Sequence, residues 1–194
     1  MKTIEENRNL ILEAASAQFL QYGYVKTTMS DVAKGCGMSP ANIYRFYPTR
    51  HELVDAVAEL WLQETRRLAE VIARRKGKAS KRLREFVIEV HRQVRGQHTS
   101  GAKVHEICEM ASRERWPAAR RHRDIMTSLL AEIVRSGIES GEFADGDPDA
   151  TAPVFMDALL KFHNPVLIAQ YHADPLEAQA VSMAEMFLMV LGKR

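Results

Sequence analysis

Asn42, Tyr44 and Arg45 fall within one short run, SPANIYRFY, from Ser39 to Tyr47. A carboxamide can bond a base edge bidentately, a guanidinium can address guanine or a phosphate, and small Pro40 and Ala41 let a helix sit deep enough to touch a thymine methyl. Tyr44, Tyr47, Thr28, Ser39 and Arg50 add donors for phosphate oxygens, which fix register without reading sequence. Such chemistry suits duplex DNA, provided that two short helices hold these side chains on one surface.

The flanking residues supply those helices. Thr28 precedes Asp31 by three residues, Ser39 precedes Asn42 and Thr49 precedes Glu52, so each hydroxyl can accept an early backbone N–H, and Glu52 completes a capping box. Pro40 stands at the first helical position after Ser39, where its missing N–H costs nothing. Gly37 can take the left-handed conformation that a tight turn requires. Ala33 and Ile43 suit the crossing beneath that turn, with Val32, Cys36, Met38 and Phe46 as further inward positions. This is the layout of a helix-turn-helix. Charge alone would not have shown it, since residues 1–50 set Lys2, Arg8, Lys26, Lys34, Arg45 and Arg50 against Glu5, Glu6, Glu13 and Asp31.

Helical signals fill the rest of the chain. Thr3 and Glu6 form a capping box before an apolar face of Leu10, Ile11, Ala14, Ala15 and Phe19 that ends at Gly23. A long helix is expected from Arg50 to about Arg75, followed by helices over roughly 81–95, 102–112, 117–138, 148–171 and 175–191. Asp147-Pro148 and Asp174-Pro175 read as N-cap and first-turn pairs, and Pro165 should kink or split its helix near His163-Asn164. No strand is expected. The fold class is therefore all-α, an N-terminal three-helix helix-turn-helix domain (1–48) joined to a C-terminal helical domain (49–194).

The last helix is apolar on nearly all sides. From Ala180 to Leu191 only Ser182 and Glu185 are polar, so a second subunit is the simplest cover for what the chain's own core leaves open. Val166, Met183, Phe187 and Val190 are the expected homodimer contacts, on two helices from each subunit.

Composition sets outer limits. A length of 194 residues with 46% hydrophobic content can bury a substantial core. Two distant cysteines give neither a disulfide framework nor a zinc-finger spacing, the N-terminus is too polar for a signal peptide, and no apolar run reaches membrane-spanning length. A soluble cytoplasmic protein without a membrane partner or cofactor is expected.

The motifs at Leu10 to Phe19 with Gly23, at Thr27-Thr28-Met29 with Val32-Ala33 and Gly37-Met38-Ser39, and at Ile43-Tyr44-Arg45-Phe46-Tyr47 leading to Leu53 resemble those of TetR-family transcriptional regulators. The resemblance implies DNA contacts at Thr28, Ser39, Pro40, Ala41, Asn42, Tyr44, Arg45, Tyr47 and Arg50. Pro48 departs from it, standing where a basic residue is frequent. It further implies that the later helices bind a small-molecule effector and dimerise, and that the effector relieves repression at a palindromic operator. Apolar and aromatic positions of the middle helices are then the candidate pocket: Phe86, Val90, Val104, Ile107, Met110, Trp116, Met126, Leu130, Phe155, Leu159 and Phe162.

Four other readings start from other features. His91, His98, His105, Cys108 and Glu109 lie close in sequence, and His105 with Cys108 would share a helical face, the beginnings of a metal-responsive site. Against it, Gly96 and Gly101 break the spacing and no third ligand is brought into range, so no metal is assigned. An enzyme lacks support, because the chain shows no nucleophile elbow, phosphate-binding glycine loop or paired carboxylates. A helical adaptor without duplex affinity would explain the apolar C-terminal helices alone. Lastly, eleven Lys or Arg between Arg66 and Arg95 against Glu70, Glu85 and Glu89 read as a solvated face, with a second surface for DNA or an anionic effector as the alternative.

Overall fold

Side-chain caps set the helix starts of this computed structural model, which describes residues 3–98, 107, 110–111 and 116–192. The ten helices named here are α1 (Ile4–Tyr22), α2 (Met29–Gly35), α3 (Pro40–Phe46), α4 (Arg50–Arg74), α5 (Ala79–His98), α6 (Pro117–Glu139), α7 (Pro148–Ala158), α8 (Leu160–His163), α9 (Pro165–Gln170) and α10 (Leu176–Leu191). Every regular element among the described residues is helical, and none is long and apolar enough to cross a membrane. They fall into two compact units, residues 1–62 with 100–120, and residues 63–99 with 121–194.

In the first unit, reciprocal capping boxes open α1 at Thr3–Glu6 and α2 at Thr28–Asp31. At Thr49 the hydroxyl accepts from the Glu52 N–H (3.1 Å) and donates to the Glu52 carboxylate (3.0 Å). Gly37 lies at φ +67°, and a Cβ there would meet nothing within 4 Å, so the turn needs glycine for its backbone rather than for space. Beneath the turn, Ala33 and Ile43 join Ile11, Phe19, Val32 and Leu53 in one buried core, with Cys36, Met38 and Phe46 half-buried at its edge.

The second unit has its own core, built on Leu83, Phe86, Val87, Met126, Leu130 and Leu159. Gly137 is required here for close approach, because a Cβ would stand 2.1 Å from the Phe143 ring that closes over α6. The helix expected over 148–171 is three pieces. Asn164 caps α9, its Oδ1 accepting from the N–H groups of Val166 (2.9 Å) and Leu167 (3.2 Å), so the chain does break before Pro165. The earlier break at Leu159 was not anticipated. There a tight turn, with Phe162 N–H donating to Leu159 O (2.9 Å), brings two residues three apart onto the same core. Asp174 likewise does not cap α10. Its carboxylate accepts from Lys161 Nζ at 2.7 Å instead, and Pro175 takes the cap position without a side-chain bond.

Two imidazoles tie α5 to α8 reciprocally. His91 Nδ1–H donates to Phe162 O (2.9 Å) and His163 Nε2–H donates to Val87 O (3.1 Å), while the remaining nitrogen of each ring is buried and without a hydrogen-bond partner. Burial lowers the His163 pKa from 6.5 to about 4. Because the unfolded chain takes up the proton first, this site costs stability as pH falls from 6.5 towards 4 and costs nothing above that range. His163→Gln is therefore expected to flatten the acid limb of a urea-midpoint profile in that window. An unchanged difference between pH 7 and pH 4.5 would contradict it.

Candidate nucleic-acid interface

Seven residues, Pro40–Phe46, form the candidate reading helix α3. Ser39 Oγ accepts the Asn42 N–H at 3.3 Å, and Pro40 occupies the first turn, as the sequence pattern requires. Ile43 is fully buried and anchors the helix, which leaves Pro40, Ala41, Tyr44 and Arg45 exposed and Asn42 half-exposed on the other side. Lys26 and Lys34, both exposed, are further basic groups of this unit.

Thr28 lies at the start of α2, and its hydroxyl is engaged twice, accepting the Asp31 N–H (3.2 Å) and donating to the Asp31 carboxylate (2.6 Å). Those bonds from Thr28 hold the Asp31 carboxyl below its usual range.

Two expected phosphate donors face elsewhere. Tyr47 is only 6% exposed: as the residue that ends α3, with φ −133° and ψ 90°, it leaves the helical path and turns its ring into the core. Burial pushes its phenol up, and the Arg8 guanidinium sits 5.6 Å from the ring centre while bonding Phe46 O at 3.5 Å. Arg50 is turned back into the unit. Its Nε donates to Thr27 O at 3.1 Å, an Nη donates to Tyr24 O, and the guanidinium lies 4.0 Å from the Tyr24 ring centre. Arg50 thus pins the loop between α1 and α2. Arg8 and Tyr24, which these contacts involve, were not singled out from sequence; Tyr24 lies outside any apolar period and Arg8 acts across 38 positions.

The candidate pocket residues divide between the units. Phe86, Val90, Met126, Leu130, Phe155, Leu159 and Phe162 belong to the core of the second, whereas Ile107, Met110 and Trp116 pack in the core of the first. Val104, His105, Cys108 and Glu109 lie outside the described residues, and among those described no group of three or more His, Cys, Asp or Glu could hold a metal. Part of the basic band is paired within the second unit: Arg84 forks onto Glu185 (2.6 and 3.0 Å), Arg92 reaches Glu177 (2.5 Å), Arg75 pairs with Glu85 and Arg74 with Glu70.

Comparison with known proteins adds the family. Residues 11–57 match the family described as bacterial regulatory proteins, tetR family, and residues 79–183 match the tetracyclin repressor-like C-terminal domain. The chain belongs to the TetR family. Among similar proteins of Bacillus subtilis, the uncharacterised HTH-type transcriptional regulator YhgD is 31% identical over 78% of this chain and 79% of its own length. YfiR, an uncharacterised regulator of the same type, is 24% identical over 90% and 85%. A TetR-family transcriptional regulator of Mesorhizobium loti has the same fold, with TM-score 0.75 at 19% identity over 99% of this chain and 100% of that one. The Bacillus subtilis FadR structure in complex with stearoyl-CoA also shares it, with TM-score 0.69 at 17% identity, covering 93% and 97%. This TetR-family chain is a DNA-binding transcriptional regulator.

If Arg50 pins the loop as its bonds indicate, Arg50→Met should destabilise the free protein by about 1.5–3 kcal/mol, the range for hydrogen bonds to a charged group. A pure phosphate donor would leave the urea-unfolding midpoint in place.

Proposed function

We propose that this regulator works as a cytoplasmic homodimer that represses at a palindromic operator and is released by a small-molecule effector, with no catalytic role of its own. Residues 1–48 read the DNA, and residues 49–194 bind the effector and dimerise. The exposed face of α3 carries the reading: Asn42 and Arg45 address bases, Ala41 and Pro40 permit close approach, and Tyr44, 49% exposed, reaches a phosphate with Ser39, whereas the Thr28 hydroxyl proton is already given to Asp31. Tyr47 and Arg50 shape this surface from behind it.

The dimer proposal rests on the outer face of α10. Met189 and Val190 are 75% and 67% exposed, and Met186 and Val181 extend that face. Beside it an apolar groove of about 440 Å³ is lined by Phe162, Ala178, Gln179, Ser182, Met183 and Met186. Phe187, expected at this face, is instead 3% exposed and stacks on Phe155 with ring centres 3.8 Å apart, inside its own core. It is therefore no probe of assembly; Val190 is. Val166 and Met183 are half-buried, and Met183 packs against that core.

Effector binding is proposed within the second unit, around Phe86, Val90, Met126, Leu130, Phe155, Leu159 and Phe162. All seven are buried in a packed core, so a ligand entering there selects a conformation with the helices parted.

Two outcomes test the proposal. Val190→Glu should give folded monomers by sedimentation with sharply weakened operator affinity, since one half-site supplies too few contacts; a dimer that persists contradicts the assigned face. Tyr44→Ala should weaken all duplexes and reduce the salt slope by about 1, whereas Asn42→Ala should cost about 1–3 kcal/mol and relax preference at one position per half-site. Equal, sequence-independent losses from both would remove the division of roles.

A further inference from the structure

A residue far along the chain completes the first unit. Trp116, only 1% exposed, packs in the core of residues 1–62, and three separate contacts hold the residues around it there. Its indole lies 5.7 Å from the Tyr24 ring centre, tilted by 57°, and 5.7 Å from His51, edge-on at 81°. The Trp116 backbone N–H donates to Ala111 O at 3.0 Å, and Asp55 Oδ1 on α4 accepts the Ala118 N–H at 2.8 Å, capping the first turn of α6. Tyr24 is also the ring beneath the Arg50 guanidinium, and Arg50 holds Thr27 O, next to the Thr28 cap of α2.

We propose that Trp116 is a positioning residue for DNA recognition: through Tyr24 and Arg50, it holds the loop that sets where α2 and α3 lie. This rests on the DNA-binding reading above and adds a residue that touches no DNA. The contacts run in an unbroken series, from indole to phenol ring to guanidinium to the carbonyl before α2. Without the indole, Tyr24 loses the surface that keeps it under Arg50, and the loop between α1 and α2 loosens. The exposed charges at Lys26, Lys34 and Arg45 are untouched by that change, so geometry suffers while electrostatic attraction stays.

The test uses the full chain and a duplex that the wild-type protein binds sequence-specifically, with a scrambled duplex as reference. Trp116→Leu is expected to lower specific affinity about tenfold, within the usual range of coupling between sites, while affinity for the scrambled duplex at low salt changes less than twofold. Trp116→Phe should restore most of the loss. Leu83→Ala, a core change in the second unit, serves as a control for lost stability and should leave the ratio of specific to scrambled affinity unchanged. The chain has two tryptophans, so Trp61→Phe leaves Trp116 as the sole indole, and its emission should shift in step with duplex saturation even if the leucine variant does not fold. Specific affinity retained in Trp116→Leu, or an indole signal unmoved at saturation, overturns the proposal. Failure of the wild type to prefer any duplex strikes the functional reading instead.

Discussion

A helix of seven residues cannot stand alone in water, and α3 has only seven. Its position is imposed by what surrounds it: the Ser39 cap, the left-handed Gly37 turn, and Ile43 sunk completely into the core. Burying that one side fixes which residues are left facing out. The choice of side chains that α3 exposes is thus a by-product of packing, and each support beneath α3 bears on what its outer face presents. Arg50 and Tyr47 belong to that support. One pins the loop before α2, and the other closes the core behind α3.

Much of this was legible in the residues themselves, for a physical reason. Caps, glycine turns and helical periods are local, so Thr3, Thr28, Ser39, Gly37 and the split before Pro165 show in a few consecutive letters. The departures come from long-range partners. Arg50 finds carbonyls more than twenty positions away, Asp174 prefers Lys161 to its own helix, and Phe187 meets Phe155 across the second core. None of those partners has a sequence signature. Apolar letters around α10 showed that the helix needed cover on many sides, but not which residues the chain itself would cover.

In the second unit, polar groups are settled by pairing. Glu185, one of two polar residues in the stretch from Ala180 to Leu191, is held by Arg84, and that bond lowers its pKa while raising the arginine's. Such exposed pairs add little stability each. What they do is neutralise part of the basic band. The buried His91–His163 pair adds a different kind of constraint, two reciprocal ring-to-carbonyl bonds that link α5 and α8.

The most direct measurement is selection from a random duplex pool by the purified wild-type protein at near-physiological salt. The account expects an enriched palindrome whose half-sites are centred about 34–36 Å apart, one turn of duplex, as two copies of α3 in successive major grooves require. A folded dimer that enriches no sequence, or enriches single half-sites without fixed spacing, would contradict the claim that the exposed face of α3 reads DNA as a two-fold pair.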